Sequence, residues 1–369
     1  MTSKIFKYLS KIKITRIKKR RILVYDQIGS NDIKTLLKIL EVNVLDSRFN
    51  SIDLHSIVKA LFYRAIDLKI AYYICFIKKS GAEILITHID NDINFYKIKK
   101  YLPNLRVVAI QNGTRTISGD IFSEIQTGLN LSADYIFVHN KYIGNLYSKY
   151  IDCKVHEIGS MRSNLDPRIE NSKKIYSILF VSQFFKANGS AQIYDKHNVI
   201  TDYDFLEIDK RVFRLVESIT HKMGIKLTIQ LRGFQEEEKL FYNSISSFQE
   251  HSYASGLPYQ NVDRANLVVS VDSTLGYESL GRGNKTLFLT IRGSELGLMG
   301  YDFGWPVEYD NDGPFWMNNY DEKLTELLIR NLYYLSLKGW AELYKVYAKN
   351  IMKFNSNTDV VSRIILNGN

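Results

Sequence analysis

Short apolar runs that end in polar residues or glycine recur along the chain, separated by longer stretches with apolar positions at helical spacing. RILVYD (21–26) predicts a first strand, VNVLD (42–46) a second and EILITHID (83–90) a third. RVVAIQNG (106–113), DYIFVHN (134–140) and KVHEIGS (154–160) continue the series. Residues 51–82 have room for one or two helices and stop at Gly81, which suits a left-handed C-cap. Nearly continuous apolar strands alternating with helices indicate a parallel sheet covered on both faces.

The rhythm restarts after the polar stretch 167–176. SILFVSQF (177–184), KLTIQLRG (226–233), ANLVVSVD (265–272) and KTLFLTIRG (285–293) predict a second parallel sheet, with a helix over 204–224. Residues 321–354 have helical spacing and could pack against either sheet. The reading is therefore α/β, with a basic arm over 1–20, Rossmann-like domains over 21–166 and 177–320 and a helical tail over 321–369. Ligands of such sheets bind outside the carboxyl ends of the strands, so candidate chemistry is sought there.

Composition narrows the function classes. A chain of 369 residues suits two domains, and 45% hydrophobic with 24% charged residues excludes a disordered or fibrous protein. Cys75 and Cys153 lack CxxC spacing, which argues against a disulfide framework or cysteine zinc site and for a reducing cytosol. The net charge of +10 is concentrated at the front, where residues 4–21 contain no acidic residue. That stretch is too charged to span a bilayer and lacks the apolar core of a secretory signal. It suits anionic lipid headgroups, toward which each basic residue contributes about 1 kcal/mol, or it is a solvated arm. Aromatic residues are spread along the chain without an RNP, zinc-finger or helix-turn-helix pattern, so nucleic acid is not the expected partner.

The strongest local signal is VDSTLGYESLGRGNKTLFL (271–289), where a strand ends at Asp272 and a helix starts at Ser273 and Thr274. Hydroxyls and free backbone N–H groups at a helix start attract a phosphate. Gly276 permits close approach, and Glu278 can accept hydrogen bonds from ribose hydroxyls. Capping alone also explains Ser273.

This run resembles the donor-binding helix of GT-B glycosyltransferases, and the chain resembles the surface carbohydrate biosynthesis proteins of bacterial polysaccharide gene clusters. The matching pieces include ILVYDQIGS (22–30), ITHIDNDINFY (86–96), IQNGTR (110–115), IGSMRSN (158–164), DSTLGYESLGRGNKT (272–286) and FGWP (303–306). The resemblance implies a GT-B architecture, two Rossmann-like domains facing across a cleft, and a glycosyltransferase using a nucleotide-activated sugar. CMP-linked acidic sugars, nonulosonic acids or Kdo, are the expected donors. The acceptor would be a glycan or lipid-linked glycan at the inner face of the cytoplasmic membrane. No metal or other cofactor is expected, although Asp90 and Asp92 in IDND have DxD spacing.

The remaining strand ends supply further candidates. Ser182 and Gln183 would face the phosphate side. Arg232 could pair with a phosphate or sugar carboxylate, or with the acidic run 236–238, and Arg292 could act similarly. Asp90, then Asp26, with Asp120, are candidate bases for removing the acceptor proton, each with helix capping as the alternative. Gln111, Asn112 and Arg115 offer contacts to the acceptor or the sugar. His88 is read as packed, and Trp305 and Trp316 as cleft wall. Two rival readings stay open: transfer of a polyol phosphate as in teichoic-acid polymerases, and a noncatalytic glycan- or nucleotide-binding component.

Overall fold

The computed structural model describes residues 11–14, 16–125, 128–169, 173–189, 191–193, 199–233 and 235–368. The first ten residues of the basic arm and Thr15 lie outside the described residues, as do residues 170–172 of the polar stretch. The chain divides into two compact units. Unit 1 holds the described residues of Met1–Asn112, Glu124–Leu165 and Asn355–Asn369, and unit 2 those of Gly113–Ser123 and Asp166–Phe354.

Unit 1 contains β1 (Ile12–Lys13), β2 (Ile22–Val24), β3 (Asn43–Val44), β4 (Ile52–Asp53), β5 (Ile84–Thr87), β6 (Arg106–Ile110), β7 (Leu131–Val138) and β8 (Ile151–Glu157). Six of these form one parallel sheet in the order β3-β2-β5-β6-β7-β8. Its strands read as apolar runs because both faces are covered: Val24, Ile86, Val108 and Phe137 are fully buried. Residues 51–82 resolve into helices Leu54–Ala60 and Leu68–Ser80, the second closed by Gly81 at φ 67°. The short β1 pairs in parallel with β4, Ile12 beside Ile52 and Lys13 beside Asp53. Part of the basic arm is therefore a strand rather than a free tail.

Helix Asp359–Asn367 completes unit 1 and sets Val361 and Ile365 into its core. The Arg106 guanidinium donates to the carbonyls of Ile365 and Leu366. The residues read as one helical tail thus split, since helices Glu322–Tyr334 and Leu337–Leu343 belong to unit 2. Residues 113–123, placed by sequence in the first domain, belong to unit 2 as well. There the backbone amides of Ile117 and Ser118 donate to the Met299 carbonyl.

Unit 2 contains β9 (Tyr176–Val181), a hairpin of β10 (Ala191–Ile193) and β11 (Val199–Thr201), β12 (Leu227–Gln230), β13 (Ser252–Tyr253), β14 (Ala265–Ser270), β15 (Thr286–Leu289), β16 (Asp312–Gly313) and β17 (Trp316–Met317). Its main sheet has the order β13-β12-β9-β14-β15-β17-β16 and is parallel except for β16. The chain builds outward from β9 first on the β12 side and then on the β14 side. The carboxyl ends of β9 and β14 therefore flank a topological switch point, where open α/β sheets take ligands. Helix Asp202–Lys222 covers one face and starts in a capping box between Thr201 and Asp204.

The aromatic expectation needs correction. Trp316 is buried and stacks on Phe303 at 4.7 Å, with Phe315 edge-on to both, so it is core. Trp305 lies against Phe122 at 5.9 Å within unit 2. Among the described residues no helix is long and apolar enough to cross a membrane.

Candidate functional site

The carboxyl edge of the unit 2 sheet carries a cavity of about 190 Å³. It lies beside the switch point and is lined by Ser182 from the end of β9, Arg232 after β12, Pro258 and Tyr259 at the start of helix Pro258–Asp263, and Ser273 and Glu278 of the β14 crossover. Pockets that engulf a drug-sized ligand run to roughly 300–1,000 Å³, so this one suits a single ring system with its nearest polar groups. Ser182, Arg232, Ser273 and Glu278 were all candidates from sequence, and the fold brings the four together.

Each wall has a distinct chemistry. Ser273 caps helix Thr274–Gly281, its Oγ accepting from the Leu275 amide at 3.3 Å, while its own amide donates to Ser270 Oγ. Gly276 permits this geometry: a Cβ there would lie 2.5 Å from Ser270 Cβ, so any larger residue would push the helix off β14. Glu278 is buried one turn into the helix and accepts from the Tyr259 hydroxyl at 3.0 Å. The exposed Arg232 guanidinium has no hydrogen-bond or ion-pair partner among the described residues. None of the three acids expected for it takes that role: Glu236 pairs with Lys239, Glu237 lies 3.5 Å from Lys186, and buried Glu238 accepts the backbone amides of Arg232 and Gly233.

Other candidates at this edge frame the cavity. Ser182 Oγ donates to Glu238 at 2.6 Å and accepts from Tyr242 and the Phe184 amide, so its hydroxyl is committed to the protein. The Gln183 amide donates to Asp272, joining the ends of β9 and β14 across the switch point. Arg292, expected to hold an anion, binds Asp272 through one terminal nitrogen and Asp209 through the other. Burial opposes its charge, but the two carboxylates outweigh that and raise its pKa further. Thr274 Oγ1 accepts from the Thr114 amide at 3.2 Å and so fastens residues 113–116 to the helix start.

The sequence candidates on the other strand ends are likewise occupied. Asp90 is fully buried, and its oxygens accept from the Asn112 amide and the Tyr147 hydroxyl. Such a carboxylate is enclosed by the protein and ties the ends of β5 and β6 together, the role of a framework group. Asp26, also buried, accepts from Ser47 Oγ and the Ile28 amide, with Arg48 at 3.5 Å. Asp120 binds Arg115 through both oxygens and caps the turn at Ile121. Gln111 Oε1 accepts from the His139 amide, tying β6 to β7, and Asn112 contributes its backbone to Asp90. Asp92 accepts from Asn94 and Tyr25 rather than forming a DxD pair with the enclosed Asp90.

Two groups were missed, one at the carboxyl edge of unit 1 and one on the unit 2 cavity. Asp32, on helix Ser30–Leu37, is part-exposed, with Arg162 at 2.7 Å and the buried His88 Nδ1 at 3.6 Å. Burial would raise the Asp32 pKa, yet His88 and Arg162 reverse this and hold it below the usual value. Tyr259 and Pro258 gave no signal, being one tyrosine among 25 and one of five prolines.

Comparisons with known proteins agree with this architecture. A comparison with curated protein sequences gives no match. Among solved structures, a "putative UDP-N-acetylglucosamine 2-epimerase" from Listeria monocytogenes matches with a TM-score of 0.56 and 12% identity, over 96% of this chain and 98% of that one. The UDP-GlcNAc 2-epimerase of Methanocaldococcus jannaschii, in complex with UDP-GlcNAc and UDP, gives 0.53 and 11%, over 93% and 98%. A glycosyltransferase from Rickettsia africae gives 0.51 and 10%, over 95% and 100%. Identities this low speak for fold alone, and the fold is the GT-B type. A family model described as "putative O-antigen biosynthesis protein" matches residues 108–365, which span helix Thr274–Gly281 and every wall of the cavity. The chain thus belongs to this family of O-antigen biosynthesis proteins, within bacterial surface carbohydrate biosynthesis.

Proposed function

We propose that this chain is a glycosyltransferase that moves a sugar from a nucleotide-activated donor to a hydroxyl of a surface glycan, free or lipid-linked. The cavity at the carboxyl edge of unit 2 carries the reading, because it sets a buried carboxylate, an aromatic ring, an unpaired guanidinium and a helix start around one small volume. The Tyr259 ring and Leu231 offer apolar surface to a base. Glu278 accepts from ribose hydroxyls, which a carboxylate holds more strongly than a neutral group does. The amides at the start of helix Thr274–Gly281 face the phosphate, and Arg232 adds a forked donor. In the reaction the acceptor oxygen bonds to the anomeric carbon as the bond to the phosphate oxygen breaks. The nucleotide leaves with the bonding pair, and the acceptor proton passes to a base. The helix start and Arg232 offset the charge on the leaving phosphate, so no metal is called for.

A CMP-linked acidic sugar is the first donor to test, since a guanidinium beside a phosphate site also suits a sugar carboxylate. The measurement is thermal unfolding with CMP, CDP, UDP, GDP and their sugars, followed by product analysis with the donor that binds. A ligand present at a hundred times its Kd stabilises the native state by about 2.7 kcal/mol. A shift with one pyrimidine nucleotide and its sugar is expected. An unchanged Tm with every nucleotide removes the reading, and turnover of a donor to its 2-epimer without transfer replaces it.

A further inference from the structure

Unit 1 exposes a ridge that its own core does not explain. Helix Leu54–Ala60 buries Ser56 and Ala60 and turns Leu54 and Val58 outward, and the turn after it presents Leu61 and Phe62, which are 64% and 79% exposed. Leu68 continues the apolar surface at the start of the next helix. Ile14, 88% exposed, extends the β1 strand that pairs with β4 immediately before the ridge. Single exposed apolar residues are ordinary, but a contiguous set on one helix and its flanking strand marks an interaction surface.

The charge around the ridge is one-sided. Residues 11–20 carry six basic side chains and no acidic one. Lys59 and Arg64 are exposed beside the apolar positions, and the acidic residue Asp67 is committed as a helix cap. The connection 61–67 leads to a second cavity, of about 510 Å³, lined by Lys69, Lys97 and Lys100 with Asn94, Tyr101 and a single acid, the helix-capping Asp67. Among the described residues none of these three lysines has a carboxylate within ion-pair distance. Apolar side chains beside three lysines that lack an ion-pairing carboxylate among the described residues match an anionic bilayer, whose headgroups attract the lysines while its acyl boundary takes the ridge. A protein partner would have to supply both an apolar groove and a fringe of acid.

We propose that this face of unit 1 docks on an anionic phospholipid surface, with Leu61 and Phe62 inserted below the headgroups and the lysine-lined cavity holding a headgroup phosphate. The inference is independent of the nucleotide site, which lies wholly in unit 2. It is tested by sedimentation with vesicles of phosphatidylcholine alone and of phosphatidylcholine mixed with phosphatidylglycerol. The full chain is expected on the mixed vesicles, with binding that weakens as salt rises. Leu61→Asp with Phe62→Asp should lower that binding by about tenfold or more, because two apolar side chains leave the interface. Lys97→Glu with Lys100→Glu should lower it on mixed vesicles and leave the weak binding to phosphatidylcholine unchanged. All four side chains lie at the surface or at the open cavity, so Tm and nucleotide affinity should stay as in the wild type. Equal recovery of wild type on both vesicle types, or undiminished binding of the Leu61/Phe62 variant, overturns the proposal. So does a wild-type dimer that the same variant splits into monomers, since the ridge would then join two copies of the chain.

Discussion

The Tyr259 hydroxyl donates to Glu278 Oε1 at 3.0 Å, joining the start of one crossover helix to the second turn of another on the rim of the unit 2 cavity. The bond fixes a buried carboxylate in one orientation at the cavity wall. Replacing Glu278 by Gln keeps its shape and removes its charge. Hydrogen bonds to a charged group contribute about 1.5–3 kcal/mol, so affinity for the nucleotide should fall by about tenfold to a hundredfold. Calorimetric titration measures it, and an unchanged Kd removes Glu278 from the site.

Arg232 separates phosphate recognition from base recognition. Because its side chain is exposed and unpartnered among the described residues, Arg232→Ala should leave Tm unaltered. It should weaken nucleotides by about tenfold and the matching nucleoside hardly at all, since only a phosphate uses the guanidinium. Equal losses for nucleoside and nucleotide would place Arg232 against the base instead.

Gly276 tests whether the helix start must sit close on β14. Gly276→Ala drives a methyl into Ser270 and should destabilise unit 2 by about 1–3 kcal/mol while lowering nucleotide affinity. Adding Ser270→Gly removes the side chain it meets and should restore part of both. Denaturant melts and titrations on the single and double variants provide the comparison.

Arg282 and Asp263 form a fully buried ion pair at 2.6 Å, and Arg282 also donates to the carbonyls of Asp166 and Pro167. Burial would raise the Asp263 pKa, but its bonds from Arg282, Asn284 and the Ile169 amide hold it below the ordinary value. A lowered folded pKa means that the stabilisation is complete above about pH 4 and disappears as the pH falls through the lowered value. Arg282→Met should cost about 3–5 kcal/mol at neutral pH by stranding a buried carboxylate. The gap between variant and wild type should narrow in acid. Urea melts from neutral pH down to acid check the sign, and a gap that widens in acid would contradict it.

Ten strands were legible, eight of them as apolar runs mostly buried in their sheets, while β3 and the partly exposed edge strand β8 were read from the apolar residues around them. The two-residue strands β1, β4, β13, β16 and β17 were not, being too short to show a period. At the site the sequence marked which residues end strands but not how they bond to one another. Glu238 looked like one acid of a solvated run, and only the fold puts Ser182 against it, 56 residues away in sequence. Asp90 looked free at its strand end until Tyr147, 57 residues on, closed over it. Hydroxyl and carboxylate groups at strand ends announce chemistry and framework in the same letters, and long-range contacts decide between them.

The helix Asp359–Asn367 has a consequence for synthesis. Unit 1 lacks Val361 and Ile365 in its core until unit 2 has been translated, because the main segment of unit 2, 166–354, precedes the closing segment of unit 1. The nascent amino-terminal half therefore emerges from the ribosome with an open seam beside Arg106, while both segments of unit 2, 113–123 and 166–354, are made before that seam can close. Unit 2 is thus expected to close before unit 1, and chaperone demand should fall on the half that is made earliest.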